Sequence, residues 1–90
     1  MRDDEFEWDD RKAEENQRKH GVSFEHARAA FHDPDGIDEN DPDAHEKRFS
    51  RLCSLNRKVF VVVYTERGKR TRIISARVAT KHEQRNYFEQ

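Results

Sequence analysis

One run constrains the fold of this chain more than any other, because residues 58–64 (KVFVVVY) are β-branched and aromatic almost throughout. Such a run is typical of a central strand that is covered on both faces of a sheet. Its apolar part, residues 59–64, is the longest in the chain and is far too short to cross a bilayer. The length of 90 residues predicts one domain, residues 1–90, built around this sheet.

Two further strands flank the central one. Residues 48–55 mix apolar and polar positions, which indicates a half-buried or edge strand, and residues 71–77 form the third strand. The links at 56–57 and 66–70 are short enough for hairpins, and the second contains Gly68. The three strands are therefore predicted to form an antiparallel meander.

The N-terminal half begins with a strand and a helix. Phe6 and Trp8 alternate with acidic residues, which is the period of a short strand. Asp9 or Asp10 can then cap a very polar helix that runs to about His20.

A second helix and a loop follow. Gly21 is placed to end the first helix, and Ser23 can cap the second. The apolar face of this second helix consists of Phe24, Ala27, Ala30 and Phe31. Residues 32–46 are rich in Asp, Pro and Gly and predict a long acidic loop.

The C-terminus predicts a third helix. Thr80 and Glu83 have the T-x-x-E spacing of a capping box, and the helix that they open carries Tyr87 and Phe88. The predicted order is β-α-α-β-β-β-α, an α+β domain with its helices on one face of an antiparallel sheet.

Charge divides the chain in half. Residues 1–46 hold sixteen acidic and six basic side chains, a net charge of −10, whereas residues 47–90 hold three acidic and twelve basic, a net charge of +9. The basic half also contains the predicted meander, so the positive charge is expected on an ordered sheet that suits a polyanion. Only 32% of the residues are hydrophobic, which predicts a small core and a domain that gains stability from a partner chain.

The acidic loop resembles a metal site only superficially. Gly36 is not at the sixth position counted from Asp33, and Ala44 stands where a calcium loop needs a bidentate Glu. The five histidines and one cysteine show no zinc spacing. We therefore expect no metal and no cofactor, and we interpret the loop as a solvated acidic segment. Its candidate ligands are His32, Asp33, Asp35, Asp38, Asp41, Asp43 and His45.

The single cysteine, Cys53, lies within a strand pattern and is interpreted as a small buried apolar group rather than a nucleophile. A lone cysteine also fits the reducing cytoplasm.

A set of basic residues dominates the C-terminal half. Arg72 and Arg77 bracket the apolar part of one strand, and with Arg51 on a neighbouring strand they can converge on one phosphate. In a regular strand, however, Arg72 and Arg77 point to opposite faces, so only one faces the site unless the strand ends or twists near Ala76. The full set is Arg48, Arg51, Arg57, Lys58, Arg67, Lys69, Arg70, Arg72, Arg77, Lys81 and Arg85.

Cleavage of RNA without a metal needs a base, an acid and cations around the phosphate that the 2′-hydroxyl attacks. The candidate proton-transfer groups are His20, Glu66, His82 and Tyr87. Each has a simpler interpretation: a helix cap for His20, a turn residue for Glu66, a surface residue for His82 and a core residue for Tyr87.

Taken together, the motifs resemble the BrnT toxins over nearly the whole chain. The pair K-H-G with R-I-I-S-A-R is more specific than either motif alone. The residues that carry the resemblance are F-E-W-D at 6–9, Lys12, Asn16, K-H-G at 19–21, V-S-F at 22–24, Ala27, Phe31, Glu46, R-F at 48–49, V-V-V-Y-T-E-R at 61–67, R-I-I-S-A-R at 72–77, Ala79, Glu83 and Tyr87.

The resemblance implies a RelE-like fold and a ribonuclease toxin of a bacterial type II toxin–antitoxin system. It also implies a partner, the antitoxin BrnA, whose ribbon-helix-helix segment binds operator DNA, in a complex of two toxins and two antitoxins. We predict a metal-independent endoribonuclease that inhibits translation in the cytoplasm.

The predicted catalytic residues are Arg72 and Arg77, followed by Lys19, His20, Glu66, Arg67 and, as a support or an acid, Tyr87. The predicted RNA-binding residues are Arg48, Arg51 and Lys81. Lys12 and Asn16 lie at helical spacing from Lys19 or His20 and can instead hold the first helix in place.

Two other classes of function are open to the same sequence. A basic sheet also suits a module that binds RNA or DNA without cutting it. It equally suits a protein-interaction domain that receives an acidic partner.

Overall fold

The computed structural model describes residues 1–42 and 47–90, so Asp43, Ala44, His45 and Glu46 lie outside the described residues. The α+β class and the predicted order of elements are confirmed, whereas the RelE-like character stays a prediction. The elements are β1 (Phe6–Glu7), α1 (Asp10–His20), α2 (Phe24–Phe31), β2 (Ile37–Asp41), β3 (Arg48–Leu55), β4 (Lys58–Arg67), β5 (Arg70–Val78) and α3 (Lys81–Phe88).

The strands form one sheet in the order β1-β5-β4-β3-β2. The run of β-branched residues is indeed the central strand, and β3, β4 and β5 form the predicted antiparallel meander. The sheet as a whole is mixed rather than antiparallel, because β1 pairs with β5 in parallel. The N-terminal strand thus lies at one edge of the sheet, beside the last strand of the basic half.

The prediction of a loop is wrong for residues 37–41, which form the edge strand β2. Asp and Asn disfavour strands, so the local composition carries no strand signal. Pairing with β3 supplies the backbone hydrogen bonds of this segment, with Ile37 opposite Leu52. Two side chains of the sheet also bind the carboxylate of Asp38. Arg51 Nη1 donates to its Oδ2, and the Tyr64 hydroxyl donates to its Oδ1 at 2.8 Å.

The helix ends follow the predicted caps. Asp9 accepts from the first turn of α1, and Gly21 ends this helix at φ +69° with its N–H bonded to Gln17 O. Ser23 caps α2, and Thr80 caps α3 in a complete capping box. These four signals depend only on residues within one helical turn.

The expectation of helices on one face of the sheet is wrong. Phe60 and Val62 pack with α1 and α2 on one face, whereas Val59 and Val61 pack with Tyr87 of α3 on the other. Because successive residues of a strand point to opposite faces, β4 serves two separate cores. We call these the two-helix face and the α3 face. No helix in the described parts of the chain is long and apolar enough to cross a membrane.

Candidate nucleic-acid interface

A bulge in β5 places Arg72 and Arg77 on the same face of the sheet. Arg72 is paired with Thr65 and Arg77 with Val61, and the register shifts between these pairs at Ile74. Thr65 and Val61 are four residues apart on β4, whose pairing with β3 is regular, so they point to the same face. The extra residue therefore reverses the parity that a regular β5 would have.

Two more arginines share this face. Arg67 follows Thr65 by two residues on β4, and Arg48 precedes Ser50, the partner of Val63, by two residues on β3. The α3 face thus carries Arg48, Arg67, Arg72 and Arg77, which we call the cationic face. Helix α3 begins at Lys81 and covers one end of it.

Arg77 is held by a carboxylate of α3. Its Nη1 and Nη2 donate to the two oxygens of Glu83 at 2.8 and 2.9 Å, and the Arg77 side chain is 41% exposed. Glu83 Oε1 also accepts from the N–H of Thr80 at 2.8 Å, as part of the capping box. The hydrogen bonds from Arg77 lower the pKa of Glu83 to about 2 and raise the pKa of Arg77. Glu83, the third helical residue in the capping box of α3, therefore also orients the guanidinium of Arg77.

Arg72 is held by a carboxylate of β1. Its Nη1 donates to Glu7 Oε2 at 2.6 Å, and the two residues are register partners in the parallel pair. The charge of Arg72 also affects the pKa of Asp9, the residue that caps α1. The backbone N–H of Lys12 is the main cause of a lowered pKa of Asp9, and the charges of Lys12 and Arg72 add to it.

Tyr87 supports α3 rather than facing solvent. Its hydroxyl donates to Asp33 Oδ2, and Ser54 Oγ lies 3.0 Å from the same hydroxyl. Asp33 Oδ2 also accepts from the N–H of Ser54 at 2.8 Å. Burial raises the pKa of Tyr87, and the hydrogen bond to Asp33 raises it further. These contacts join the end of α2, the end of β3 and α3.

Four of the other predicted residues are not brought to the cationic face, namely Arg51, Lys19, His20 and Glu66. Arg51 lies on the two-helix face, where its Nε donates to Phe31 O at 3.1 Å and its Nη2 to Asp33 O at 2.6 Å. Its guanidinium also fills the space beside Gly36, where a Cβ would come within 2.3 Å of it. Arg51 thus anchors the segment after α2, and its contact with RNA stays a prediction.

Lys19 and His20 end α1, on the two-helix face, and both are exposed. His20 lines a cavity of about 480 Å³ together with His26 and Lys58. Glu66 alternates with Thr65 on β4 and, like Tyr64, points away from the cationic face. Catalytic roles for these residues stay predictions.

Within residues 1–42 and 47–90, no group of three or more His, Cys, Asp or Glu side chains is arranged to hold a metal ion. Asp43 and His45 of the predicted loop lie outside these ranges. Cys53 is fully buried, and burial raises the pKa of its thiol to about 12, which confirms its interpretation as a small apolar group.

Sequence reasoning missed three contributors to this interface: Glu7, Glu83 as a partner of Arg77, and Ile74. Alternation with Phe6 and Trp8 places Glu7 opposite the core, but no local signal shows that β1 pairs with β5. The T-x-x-E motif revealed the cap at Glu83 and not its second contact. A bulge within an apolar run leaves no mark in the sequence.

The structure is an α+β domain whose mixed sheet presents arginines on one face, two of them oriented by carboxylates, and a surface of this charge suits a polyanion. The family model described as the ribonuclease toxin BrnT of a type II toxin–antitoxin system matches residues 8–83. The chain belongs to this family, and the resemblance seen in its motifs is confirmed. A search of curated proteins gave no match.

Proposed function

We propose that this chain is a metal-independent endoribonuclease toxin that inhibits translation in the bacterial cytoplasm. The observation that carries the proposal is the bulge at Ile74, which puts Arg72 and Arg77 on one face with their guanidinium groups held by carboxylates. Family membership supplies the ribonuclease and toxin classes. The proposal adds the site on the cationic face and the way in which it acts.

In the proposed reaction the 2′-hydroxyl of RNA attacks the adjacent phosphate and leaves a cyclic phosphate or a 3′-phosphate. Negative charge builds up on the phosphate oxygens, and Arg72 and Arg77 stabilise it from fixed positions. Arg48, Arg67 and Lys81 contact flanking phosphates, and such contacts do not depend on base sequence and weaken with salt. Tyr87 supports α3 and thereby the Arg77–Glu83 pair.

The proposed partner is a BrnA-type antitoxin with a ribbon-helix-helix segment. An acidic or amphipathic part of this antitoxin covers the cationic face beside β5 and α3, and charge complementarity makes association fast and sensitive to salt. Operator DNA is bound only through the antitoxin. Two toxins and two antitoxins form the complex, because ribbon-helix-helix segments dimerise on an operator.

The test is RNA cleavage by the purified chain, on free RNA and on RNA engaged by translating ribosomes. We expect cleavage of RNA but not of DNA of the same sequence, because the 2′-hydroxyl is the nucleophile. Arg72→Ala and Arg77→Ala should each lower kcat/KM by about 100-fold. Arg11→Ala is the matched control, since it removes the same charge from the exposed surface of α1.

Two outcomes of the cleavage test would overturn the proposal. Equal losses in all three variants would show that net charge matters and the cationic face does not. RNA binding without cleavage under any condition would favour the non-catalytic module. The family class gives a second readout: expression of the chain alone should arrest bacterial growth, and normal growth at confirmed soluble expression would contradict the toxin assignment.

A further inference from the structure

Cleavage on the cationic face requires a group that accepts the proton of the attacking 2′-hydroxyl. His20 and Glu66 lie on the two-helix side, the Tyr87 hydroxyl is already bonded to Asp33, and the exposed His82 of α3 lies 3.5 Å from the amide of Asn86. Among the described residues, none of these four groups contacts Arg72 or Arg77. A different residue is therefore needed if the proposed ribonuclease function, on which this inference rests, is correct. A carboxylate beside one of the two arginines has the required chemistry.

Two carboxylates lie on the cationic face in contact with the arginines, and their hydrogen bonding differs. Both oxygens of Glu83 bind Arg77, and one also caps α3. A carboxylate with this many donors is a weak proton acceptor, because the hydrogen bonds from Arg77 lower its pKa to about 2. Glu7 uses only Oε2, for Arg72, and within the part of the chain that the structure describes no hydrogen bond involves its Oε1.

We infer that Glu7 is the general base of the reaction and that Arg72 binds the phosphate that is cleaved. The 2′-oxygen forms a bond to phosphorus while the bond from phosphorus to the 5′-oxygen breaks. The proton of the 2′-hydroxyl passes to Glu7 Oε1, and the departing 5′-oxygen takes a proton from water. The products are a 2′,3′-cyclic phosphate and a free 5′-hydroxyl, and Glu7 then returns its proton to solvent.

The backbone around Glu7 is rigid enough for this role. Phe6 and Trp8 on either side are 1% and 5% exposed, so they anchor β1 in the core and leave Glu7 on the opposite face. The Glu7 side chain is 15% exposed, which leaves it accessible from that face while most of it is shielded from water. Its register partner is Arg72, so base and phosphate-binding cation are adjacent in the folded chain.

The arriving phosphate also favours the proton transfer. A phosphodiester bound at Arg72 competes with Glu7 for the guanidinium and adds a negative charge beside the carboxylate. Both effects promote transfer of the 2′-hydroxyl proton to Oε1. Glu7 is thus released for catalysis only when the substrate is in place.

Steady-state cleavage and RNA binding should be measured for the wild type, Glu7→Gln, Glu7→Asp and the control Glu5→Gln. Glu5 is exposed, two residues away, and pairs with His32. For Glu7→Gln we expect kcat to fall by about 100-fold or more while the RNA Kd stays within about threefold. The acidic limb of the kcat–pH profile should disappear in Glu7→Gln and persist in Glu7→Asp, which keeps a carboxylate. Glu5→Gln should match the wild type.

The outcomes separate this inference from the function that it extends. Wild-type and Glu7→Gln cleavage at equal kcat would overturn the role of Glu7 and leave the ribonuclease proposal intact. A raised KM with unchanged kcat would also overturn it, because Glu7 would then only position Arg72. A wild-type chain that cleaves no RNA would overturn the proposed function itself, and Glu7 would lose its role with it.

Discussion

The side-chain amide of Asn16 pairs with the backbone of Ala76 as a neighbouring strand would. Nδ2 donates to Ala76 O at 2.9 Å, and Oδ1 accepts from the N–H of Ala76 at 3.1 Å. Nδ2 also donates to Val22 O at 2.9 Å, and the residue is 6% exposed. Ala76 lies between the bulge at Ile74 and Arg77, so this contact joins α1 to β5 beside the cationic face. The prediction that Asn16 holds the first helix in place is confirmed.

Asn16→Asp should destabilise the chain strongly. The substitution replaces the Nδ2 donor by an oxygen that faces the carbonyl oxygens of Ala76 and Val22. The site is buried, so these two carbonyl groups find no other hydrogen-bond donor. We expect the free energy of unfolding in urea to fall by about 2–4 kcal/mol. Gln17→Glu is the control, since it makes the same chemical change at an exposed neighbouring position. Equal losses in the two variants would contradict the role of the buried amide.

Glu83→Gln should remove part of the dependence of stability on pH. Because the pKa of Glu83 is lower in the folded chain than its ordinary value of 4.5, its ionised form stabilises the fold above about pH 4.5. This contribution is lost as pH falls toward about 2. The variant should be less stable than the wild type by about 1 kcal/mol at pH 7, after allowing for solvent screening of the exposed Arg77, and the gap should close near pH 2.

Thermal unfolding of both proteins between pH 7 and pH 2 measures this gap. Glu89→Gln, an exposed substitution just after α3, is the control and should follow the wild type. A gap that stays constant over the whole range would show that ionisation of Glu83 does not stabilise the fold.

Tyr87→Phe separates support of α3 from proton donation. The substitution removes the hydroxyl that binds Asp33 and Ser54 and should lower the free energy of unfolding by about 1–3 kcal/mol. If Tyr87 only supports the helix, kcat of the folded variant should stay within about threefold of the wild type, against the 100-fold or larger loss expected for a catalytic acid. Phe88→Ala, at an exposed aromatic residue of α3, is the control for stability.

RNA cleavage should persist in EDTA. The proposed reaction uses the 2′-hydroxyl, arginines and a carboxylate, and the described residues offer no ligand group for a metal ion. Cleavage rates are compared before and after chelation, with a metal-dependent nuclease as the positive control. Activity that is abolished by EDTA and restored by a single divalent ion would refute the prediction.

The complex with the antitoxin should contain two copies of each chain and depend on the cationic face. Arg72→Glu and Arg77→Glu should each weaken binding, most strongly at low salt, while Arg11→Glu on α1 should not. Light scattering gives the mass, and titration at several salt concentrations gives the affinity. A one-to-one complex of the full-length proteins would contradict the predicted two-to-two stoichiometry. Unchanged affinity in both charge reversals would place the antitoxin elsewhere.

The elements that sequence predicted correctly depend on short-range chemistry. The caps at Asp9, Ser23 and Thr80 act within one helical turn, and Gly21 adopts a left-handed conformation that few other residues tolerate. The central strand follows from a continuous run of β-branched residues that no exposed helix or loop would carry. The family motifs and the division of charge are likewise properties of the chain itself, and they are enough to indicate the class of protein.

The positions of the functional groups were decided by tertiary contacts. β2 is a strand only because its backbone pairs with the edge of β3. α3 lies on the face opposite α1 and α2 because Tyr87 packs against Val59 and Val61 there. Glu7 and Arg72 are 65 residues apart in sequence and meet only through the parallel pairing of β1 with β5. Sequence by itself determined which residues carry the charge. The bulge at Ile74 determined that Arg72 and Arg77 share a face, because one extra residue reverses the side-chain alternation of a strand. Only packing against neighbouring elements specifies where that extra residue lies.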